Sequence, residues 1–182
     1  CGAVDMFAHI VERYFTNTEN VDLTDEMCEA VMRTIIKNSK LALEEPKNYN
    51  PRAELMWAST IAHNGLLGTG REEDWSSHVI EHELSAKYDI AHGAGLAIIM
   101  PAWMKYVYKH DVQRFVRFAV KVMDVKPGKY SETLDKLEHK ETFDNINIEE
   151  TALKGIEAFE NWLRDINMPV RLAEINIKED KF

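Results

Sequence analysis

Cysteine is scarce in this sequence of 182 residues, and its two cysteines, Cys1 and Cys28, form no Cys-x-x-Cys pair. Two cysteines are too few for a disulfide framework, which argues against a small disulfide-stabilised secreted domain and favours a cytoplasmic protein. Long hydrophobic runs are lacking as well. The longest run, residues 94–104, falls well short of the roughly 20 residues that cross a bilayer. No membrane span is therefore expected.

Positive charge is also in short supply. The sequence has 22 Lys and Arg against 31 Asp and Glu, which gives a formal net charge of -9. This balance opposes binding to phosphate backbones or anionic lipid surfaces, so neither nucleic acid nor a membrane is an expected partner. With 45% hydrophobic residues, the chain can bury one substantial core, and we expect a single domain over residues 1–182.

Alternating polar and apolar runs long enough for a β-sheet are absent, whereas apolar residues recur at helical steps. We expect an all-α fold, a bundle of about seven helices. The expected helices cover residues 2–15, 24–43, 50–67, 74–87, 92–109, 112–125 and 147–167, and a short helix is expected within 129–145. Thr24 and Asn147 are expected N-caps. Pro101 is expected to kink or split the fifth helix, and Trp57 to be a core aromatic.

Histidine and aspartate occur at spacings that suit a metal site. Asp5 and His9 stand at i and i+4, so they share one helix face, and His78 and His82 have the same spacing. His92 follows at the start of the next expected helix, where a turn could fold it back beside His78. A set rich in imidazole with one carboxylate suits divalent Fe, Zn, Co or Ni and disfavours Mg or Ca.

Spacing alone does not decide which of these five residues bind metal. An Asp and His pair at i and i+4 is more often a surface or capping pair, and a hydrogen-bonded role explains His82 more simply than a ligand role. His63 is expected only to end a helix, and His139, in a charged segment, to be solvated.

Two other functions compete with a metal site of this composition. The dipeptide His110-Asp111 is typical of helical metal-dependent phosphohydrolases of the His-Asp type, although a two-residue match often arises by chance. A helical bundle that only binds other proteins is the second alternative, with incidental histidines. A ferritin-like di-iron bundle is disfavoured, because no Glu precedes any His by three residues.

Several motifs in order resemble the C-terminal domain of the iron-containing (group III) alcohol dehydrogenases. These motifs are Gly2-Ala-Val-Asp5-x-x-x-His9, His78-x-x-x-His82, and His92-Gly93 followed by Leu96-Ala-Ile-Ile-Met-Pro101. Within the family, Asn48-Tyr-Asn-Pro-Arg-Ala53, Met56-Trp57-Ala58, His82-Glu-Leu-Ser-Ala86 and Asn167-Met-Pro-Val-Arg-Leu172 resemble the branch of NADPH-dependent butanol dehydrogenases and broad-specificity aldehyde reductases. The resemblance extends from Gly2 to about Leu172.

The resemblance implies a dehydroquinate synthase-like helical domain with Asp5, His9, His78 and His92 as ligands of one divalent metal. Fe2+ is the expected ion and Zn2+ the alternative. It also implies that His82 lies near the nicotinamide and the substrate without binding metal, where it could relay a proton. The implied reaction is metal-assisted hydride transfer between a primary alcohol or its aldehyde and NADP(H).

Other parts of such an enzyme are not expected in this sequence. The chain begins with Cys1 rather than Met, and no Gly-x-Gly-x-x-Gly motif for a nucleotide follows a strand. We therefore expect a fragment that lacks the N-terminal nucleotide-binding domain and a C-terminal tail, and that has no dehydrogenase activity alone. The intact enzyme is expected to be a homo-oligomer, in the simplest case a dimer.

Overall fold

The computed structural model describes residues 1–126 and 145–177, and every regular element in these residues is a helix. The seven α-helices are α1 (Gly2–Tyr14), α2 (Asp22–Glu44), α3 (Tyr49–His63), α4 (Ser76–Tyr88), α5 (His92–Val107), α6 (Val112–Lys121) and α7 (Asn145–Asp165). Short 3-10 helices lie at Leu66–Gly68 and Leu172–Ile175. The expected all-α fold is confirmed, while the short helix expected within 129–145 lies almost entirely outside the described residues.

Helix α1 lies at the centre of the bundle. Its residues with no exposed surface are Val4, Phe7, Ala8, Ile10, Val11 and Tyr14. It packs against α2, α3 and α5 and also touches α4. The ring of Phe7 stacks on Phe159 of α7 with centroids 5.0 Å apart. Because each fully buried large apolar side chain contributes about 1.5–3 kcal/mol, this packing holds α1, and with it Asp5 and His9, in a fixed position.

Two predicted helix caps are wrong. Helix α2 begins at Asp22, so Thr24 lies in its first turn, where the hydroxyl donates a hydrogen bond to the carbonyl of Thr69 (3.4 Å). Helix α7 already includes Asn145, so Asn147 lies inside the helix. The side chain of Thr24 is used in a tertiary contact, which a local capping pattern does not reveal.

Helices α3 and α5 differ from expectation at their ends and at a proline. Helix α3 is capped by Asn48, whose side chain accepts a hydrogen bond from the backbone of Asn50 (3.0 Å). It ends at His63, earlier than expected, and Gly65 follows with a φ of 82°, in the left-handed region that favours glycine. Helix α5 continues through Pro101 without being split.

Trp57 on α3 is 63% exposed, so the expectation of a core aromatic is wrong. In the part of the chain that the structure describes, no helix is both long enough and apolar enough to cross a membrane.

Candidate metal centre

Four helices bring one carboxylate and four imidazoles together. Asp5 and His9 project from the same face of α1, His63 is the last residue of α3, His78 lies in the first turn of α4, and His92 is the first residue of α5. We call these five residues the histidine cluster. Three of its members, His63, His78 and His92, stand at helix ends.

The two oxygens of Asp5 lie at the centre of the histidine cluster. Its Oδ1 is 3.7 Å from Nε2 of His9, 3.5 Å from Nε2 of His78 and 3.3 Å from Nε2 of His92. Its Oδ2 is 3.5 Å from Nε2 of His63. The four residues that the family resemblance implies as ligands, Asp5, His9, His78 and His92, therefore all surround a single carboxylate.

Within this arrangement the donors fall into two sets of three that share Asp5. The donor atoms of Asp5, His78 and His92 all lie within 4.8 Å of one another, and so do those of Asp5, His9 and His63. His9 thus stands close to His63, with ring centroids 4.2 Å apart. It also remains close to His78, at 4.7 Å.

Two buried carboxylates orient the imidazoles of His78 and His92 by binding Nδ1, the ring nitrogen that does not face Asp5. Glu12, 1% exposed, accepts hydrogen bonds from Nδ1 and from the backbone N–H of His78, the latter at 3.0 Å. Glu81, 0% exposed, accepts from Nδ1 of His92. With Nδ1 of each ring held by a carboxylate, the Nε2 atoms lie on the side of Asp5, 3.5 Å from its Oδ1 in His78 and 3.3 Å in His92. Carboxylates in this position fix the tautomer of metal-binding histidines and make the imidazole a stronger donor.

Sequence reasoning missed Glu12, Glu81 and His63. Glu12 stands seven residues after Asp5 and Glu81 three after His78, so each shares a helix face with a predicted ligand, and that spacing was the available signal. Gly95 supplies the room for Glu81, since a Cβ there would lie 2.2 Å from its Oε1. His63 was correctly expected at a helix end, but its neighbours were not foreseen.

Several polar atoms in the cluster are buried and lack a hydrogen-bonding partner among the described residues. They are Oδ1 of Asp5, Nε2 of His78 and Nδ1 of His9. A buried polar atom without a partner is costly, by about 1–3 kcal/mol. Two of these atoms face each other at 3.5 Å, and a cation between them would satisfy both.

The electrostatics of the cluster also suit a cation. The nearby His78 lowers the pKa of Asp5 to about 2 although burial opposes the shift, and the other three imidazoles add to the lowering. Burial, helped by His63, lowers the pKa of His9 to about 4, so its ring is neutral near pH 7. Burial also acts to lower the pKa of His78, but Asp5 and Glu12 together raise it to about 9. Positive charge is thus favoured beside Nε2 of His78.

His82 lies beside the cluster rather than within it. Its ring centroid is 5.3 Å from that of His92 and 6.0 Å from that of His78. It is exposed, and among the described residues its nitrogen lies in a close group of possible ligand atoms with Glu81 and His92 alone. The position is compatible with the predicted proton-relay role, which stays a prediction.

The dipeptide His110-Asp111 gathers no ligands among the residues that the structure describes. His110 is hydrogen-bonded to the side chain of Asn17 at 3.2 Å. Asp111 caps α6 by accepting a hydrogen bond from the backbone of Arg114 at 3.1 Å. A capping role therefore explains Asp111, and the phosphohydrolase alternative has no structural support in these residues.

Comparison with protein families gives a match over residues 1–182 to the model described as "Fe-containing alcohol dehydrogenase family, C-terminal". The chain is 41% identical over 181 residues to NADH-dependent butanol dehydrogenase B of Clostridium acetobutylicum, covering 99% of this chain and 42% of that protein. It is 39% identical over 179 residues to the NADPH-dependent aldehyde reductase YqhD of Escherichia coli, covering 97% and 41%.

Solved structures give the same result. NADH-dependent butanol dehydrogenase A from Thermotoga maritima superimposes with a TM-score of 0.81 at 42% identity, covering 98% of this chain and 40% of that one. The cofactor-free form of the E. coli aldehyde reductase also has a TM-score of 0.81, at 30% identity, covering 97% and 42%. The chain thus spans about two fifths of the length of the relatives that it matches.

Proposed function

Because the chain belongs to the Fe-containing alcohol dehydrogenase family, we propose that it is the metal-binding catalytic part of an NAD(P)-dependent alcohol dehydrogenase. The proposed reaction is reversible hydride transfer between a nicotinamide cofactor and a primary alcohol such as butanol, or its aldehyde. One observation carries the proposal, the convergence of four imidazoles on Asp5. Relatives named butanol dehydrogenase and aldehyde reductase support the substrate class.

The proposed metal ligands are Asp5, His9, His78 and His92, which bind one divalent ion. The donor set and the unpartnered buried atoms of Asp5 and His78 support this assignment. A bound ion would supply Lewis-acid chemistry, either lowering the pKa of an alcohol or polarising a carbonyl. We propose Fe2+ as the ion and Zn2+ as the alternative, because imidazole and carboxylate suit both.

Two glutamates of this chain hold the proposed ligands in place, and one side of the site is exposed to solvent. Glu12 and Glu81 fix the ring orientations of His78 and His92. The side chain of His92 is 38% exposed and that of His78 only 8%, so substrate would approach from the side of His92. His82, exposed on that side, would hold or move the substrate proton.

The nicotinamide cofactor would be bound largely by parts of the enzyme beyond residues 1–182, in a separate nucleotide-binding domain. The short share of the relatives' length that this chain covers supports this division. Isolated residues 1–182 should accordingly lack dehydrogenase activity. We propose NADP(H) on the resemblance to the aldehyde reductase branch, although relatives of similar identity are named for NADH as well as for NADPH.

We further propose that the protein acts in the cytoplasm and that the intact enzyme is a homodimer. The cytoplasmic proposal is supported by the free thiol of Cys28, which is buried and forms no disulfide. The dimer is proposed by analogy with the family alone.

A chimera tests the function directly. This chain would replace the equivalent C-terminal part of the E. coli aldehyde reductase, to which it is 39% identical. We expect NADPH-dependent reduction of butanal by the chimera after loading with Fe2+ or Zn2+, and one bound ion per chain by elemental analysis. A chimera with His82→Ala should keep its ion and lose about 100-fold or more in turnover.

One control variant and two contradicting outcomes make the result interpretable. A chimera with Asp5→Ala should bind no ion and show no activity while keeping its helical circular dichroism spectrum. A folded chimera that binds no divalent ion would contradict the proposed centre. Loss of the ion on His82→Ala would contradict the assignment of His82 as a residue that does not bind metal.

A further inference from the structure

His63 belongs to the histidine cluster but is not one of the four proposed metal ligands. Its Nε2 lies 3.5 Å from Oδ2 of Asp5, the oxygen opposite the one that faces His78 and His92. Its ring centroid is 4.2 Å from that of His9. The donor atoms of Asp5, His9 and His63 all lie within 4.8 Å of one another.

The hydrogen bond on the far side of the ring identifies its tautomer. Nδ1 of His63 lies 2.8 Å from the backbone carbonyl of Ser59. A carbonyl oxygen can only accept, so Nδ1 carries the proton and donates it. In this tautomer Nε2 carries a lone pair, and it lies 3.5 Å from a carboxylate oxygen of Asp5. Two acceptors facing each other repel unless a cation lies between them.

We propose that His63 is a fifth protein donor to the metal centre, coordinating through Nε2 beside Oδ2 of Asp5 and the ring of His9. The proposal rests on the metal centre proposed above and extends its ligand set. The competing explanation is a second proton on His63, which would make it a hydrogen-bond donor to Asp5 and leave the ion with four ligands.

A fifth donor has a consequence for the choice of ion. Structural Zn2+ sites are almost always tetrahedral, whereas octahedral ions accept six ligands and keep a position open when five are supplied by the protein. Five donors therefore favour an ion of higher coordination number. His63 is exposed, so its substitution should leave the buried packing of α1 and α4 intact.

The test loads the 182-residue chain with Co2+ alone and compares wild type with His63→Ala and His63→Gln. The glutamine variant keeps much of the side-chain volume but removes the imidazole lone pair. We expect the affinity for Co2+, measured by competition with a chelator, to fall about tenfold or more in both variants. In a crystal structure of the Co2+-loaded wild type, the anomalous peak should lie within about 2.3 Å of Nε2 of His63.

His110→Ala is the matched control, because it removes an exposed histidine outside the histidine cluster, and it should leave the affinity unchanged. An ion bound by the other donors with His63 more than about 3 Å away would overturn the fifth-donor proposal and leave the proposed function standing. So would equal affinities in wild type and both variants. A wild-type chain that takes up no Co2+ would overturn the proposed function as well.

Discussion

Helix α1 connects two regions where a carboxylate is surrounded by nitrogen atoms of other side chains. At its first turns, Asp5 lies among the imidazoles of the histidine cluster. Near its last turn, Asp25 of α2, 1% exposed, accepts hydrogen bonds from Arg71 at 2.8 Å and from Arg114 at 2.6 Å. Glu29, 0% exposed, binds the hydroxyl of Tyr14 at 2.9 Å and Arg117 at 2.5 Å. We call this second group, Asp25, Glu29, Arg71, Arg114 and Arg117, the arginine cluster.

The difference lies in where the positive charge comes from. Guanidinium groups are always charged, so the arginine cluster contains its own cations and is complete as it stands. Imidazoles are neutral or charged according to their surroundings, and the histidine cluster leaves Oδ1 of Asp5 and Nε2 of His78 without hydrogen bonds in the described residues. Oε2 of Glu29 and Nε of Arg71 are also unpartnered there, but their charges are already compensated. The arginine cluster therefore suits stability, and the histidine cluster suits binding of an external cation.

The largest effect should come from removing the carboxylate of the arginine cluster. Asp25→Ala leaves the buried guanidinium of Arg71, 0% exposed, without its counter-charge. We expect the free energy of unfolding in urea to fall by about 3–5 kcal/mol. The control is Asp165→Ala, which removes a carboxylate that is 57% exposed and pairs with the exposed Lys40, and it should change the free energy by under about 1 kcal/mol. A similar small change for Asp25→Ala would refute the proposed division between the clusters.

The reverse result is expected for the carboxylate of the histidine cluster. Asp5→Ala removes the one residue shared by both sets of donors. The affinity for Zn2+ or Co2+, measured by chelator competition, should fall by more than about 100-fold, beyond the range for residues that only orient a ligand. The unfolding free energy of the metal-free chain should change by under about 1 kcal/mol, because Asp5 is 30% exposed and solvent screens its ion pairs. A large loss of stability with unchanged affinity would reverse the comparison.

The sequence was sufficient to predict the helices and the pair of site residues, Asp5 and His9, that follows a local spacing rule. Apolar spacing of three and four residues located the seven α-helices of the described residues, and the i, i+4 spacing placed Asp5 and His9 on one face. The choice of His78 and His92 over His82 came from family motifs, because spacing left it open. These ligand assignments stay predictions.

The remaining parts depend on tertiary contacts between distant residues. His63 and Asp5 are 58 positions apart, and Glu12 and His78 are 66 apart. No local pattern encodes such pairs, since which helix faces meet is decided by packing of the whole bundle. The arginine cluster was missed for the same reason, because Asp25 and Arg114 are 89 positions apart.

The orientation of the imidazoles offers a sharper test of the histidine cluster. Glu81→Ala removes the acceptor for Nδ1 of His92 without removing a proposed ligand. The affinity for Zn2+ should fall by about 10–100-fold, a smaller loss than for Asp5→Ala. Glu83→Ala, an exposed glutamate on the same helix, is the matched control and should bind Zn2+ as wild type does. If both glutamate variants bind equally well, Glu81 acts in packing alone.

The smallest expected effect concerns a third carboxylate that also has its cations within the chain, at the edge of the bundle. Burial acts to raise the pKa of Glu160, but hydrogen bonds from Arg171 and Lys105 lower it below its usual 4.5. A lowered pKa means that the stabilisation is complete above pH 4.5 and is lost as the pH falls through the lower value of the folded state.

Because Lys105 and Arg171 are 41% and 51% exposed, solvent screens these pairs and the contribution should stay below about 1 kcal/mol. In urea titrations at pH 7 the Glu160→Gln variant should be less stable than wild type by that amount, and the difference should shrink below pH 4.5. Glu157→Gln, an exposed glutamate on the same helix, should show neither effect. Since the cations of Glu160 are part of the chain, neither variant should change the affinity for Zn2+. A change would mean that the binding region extends beyond the histidine cluster.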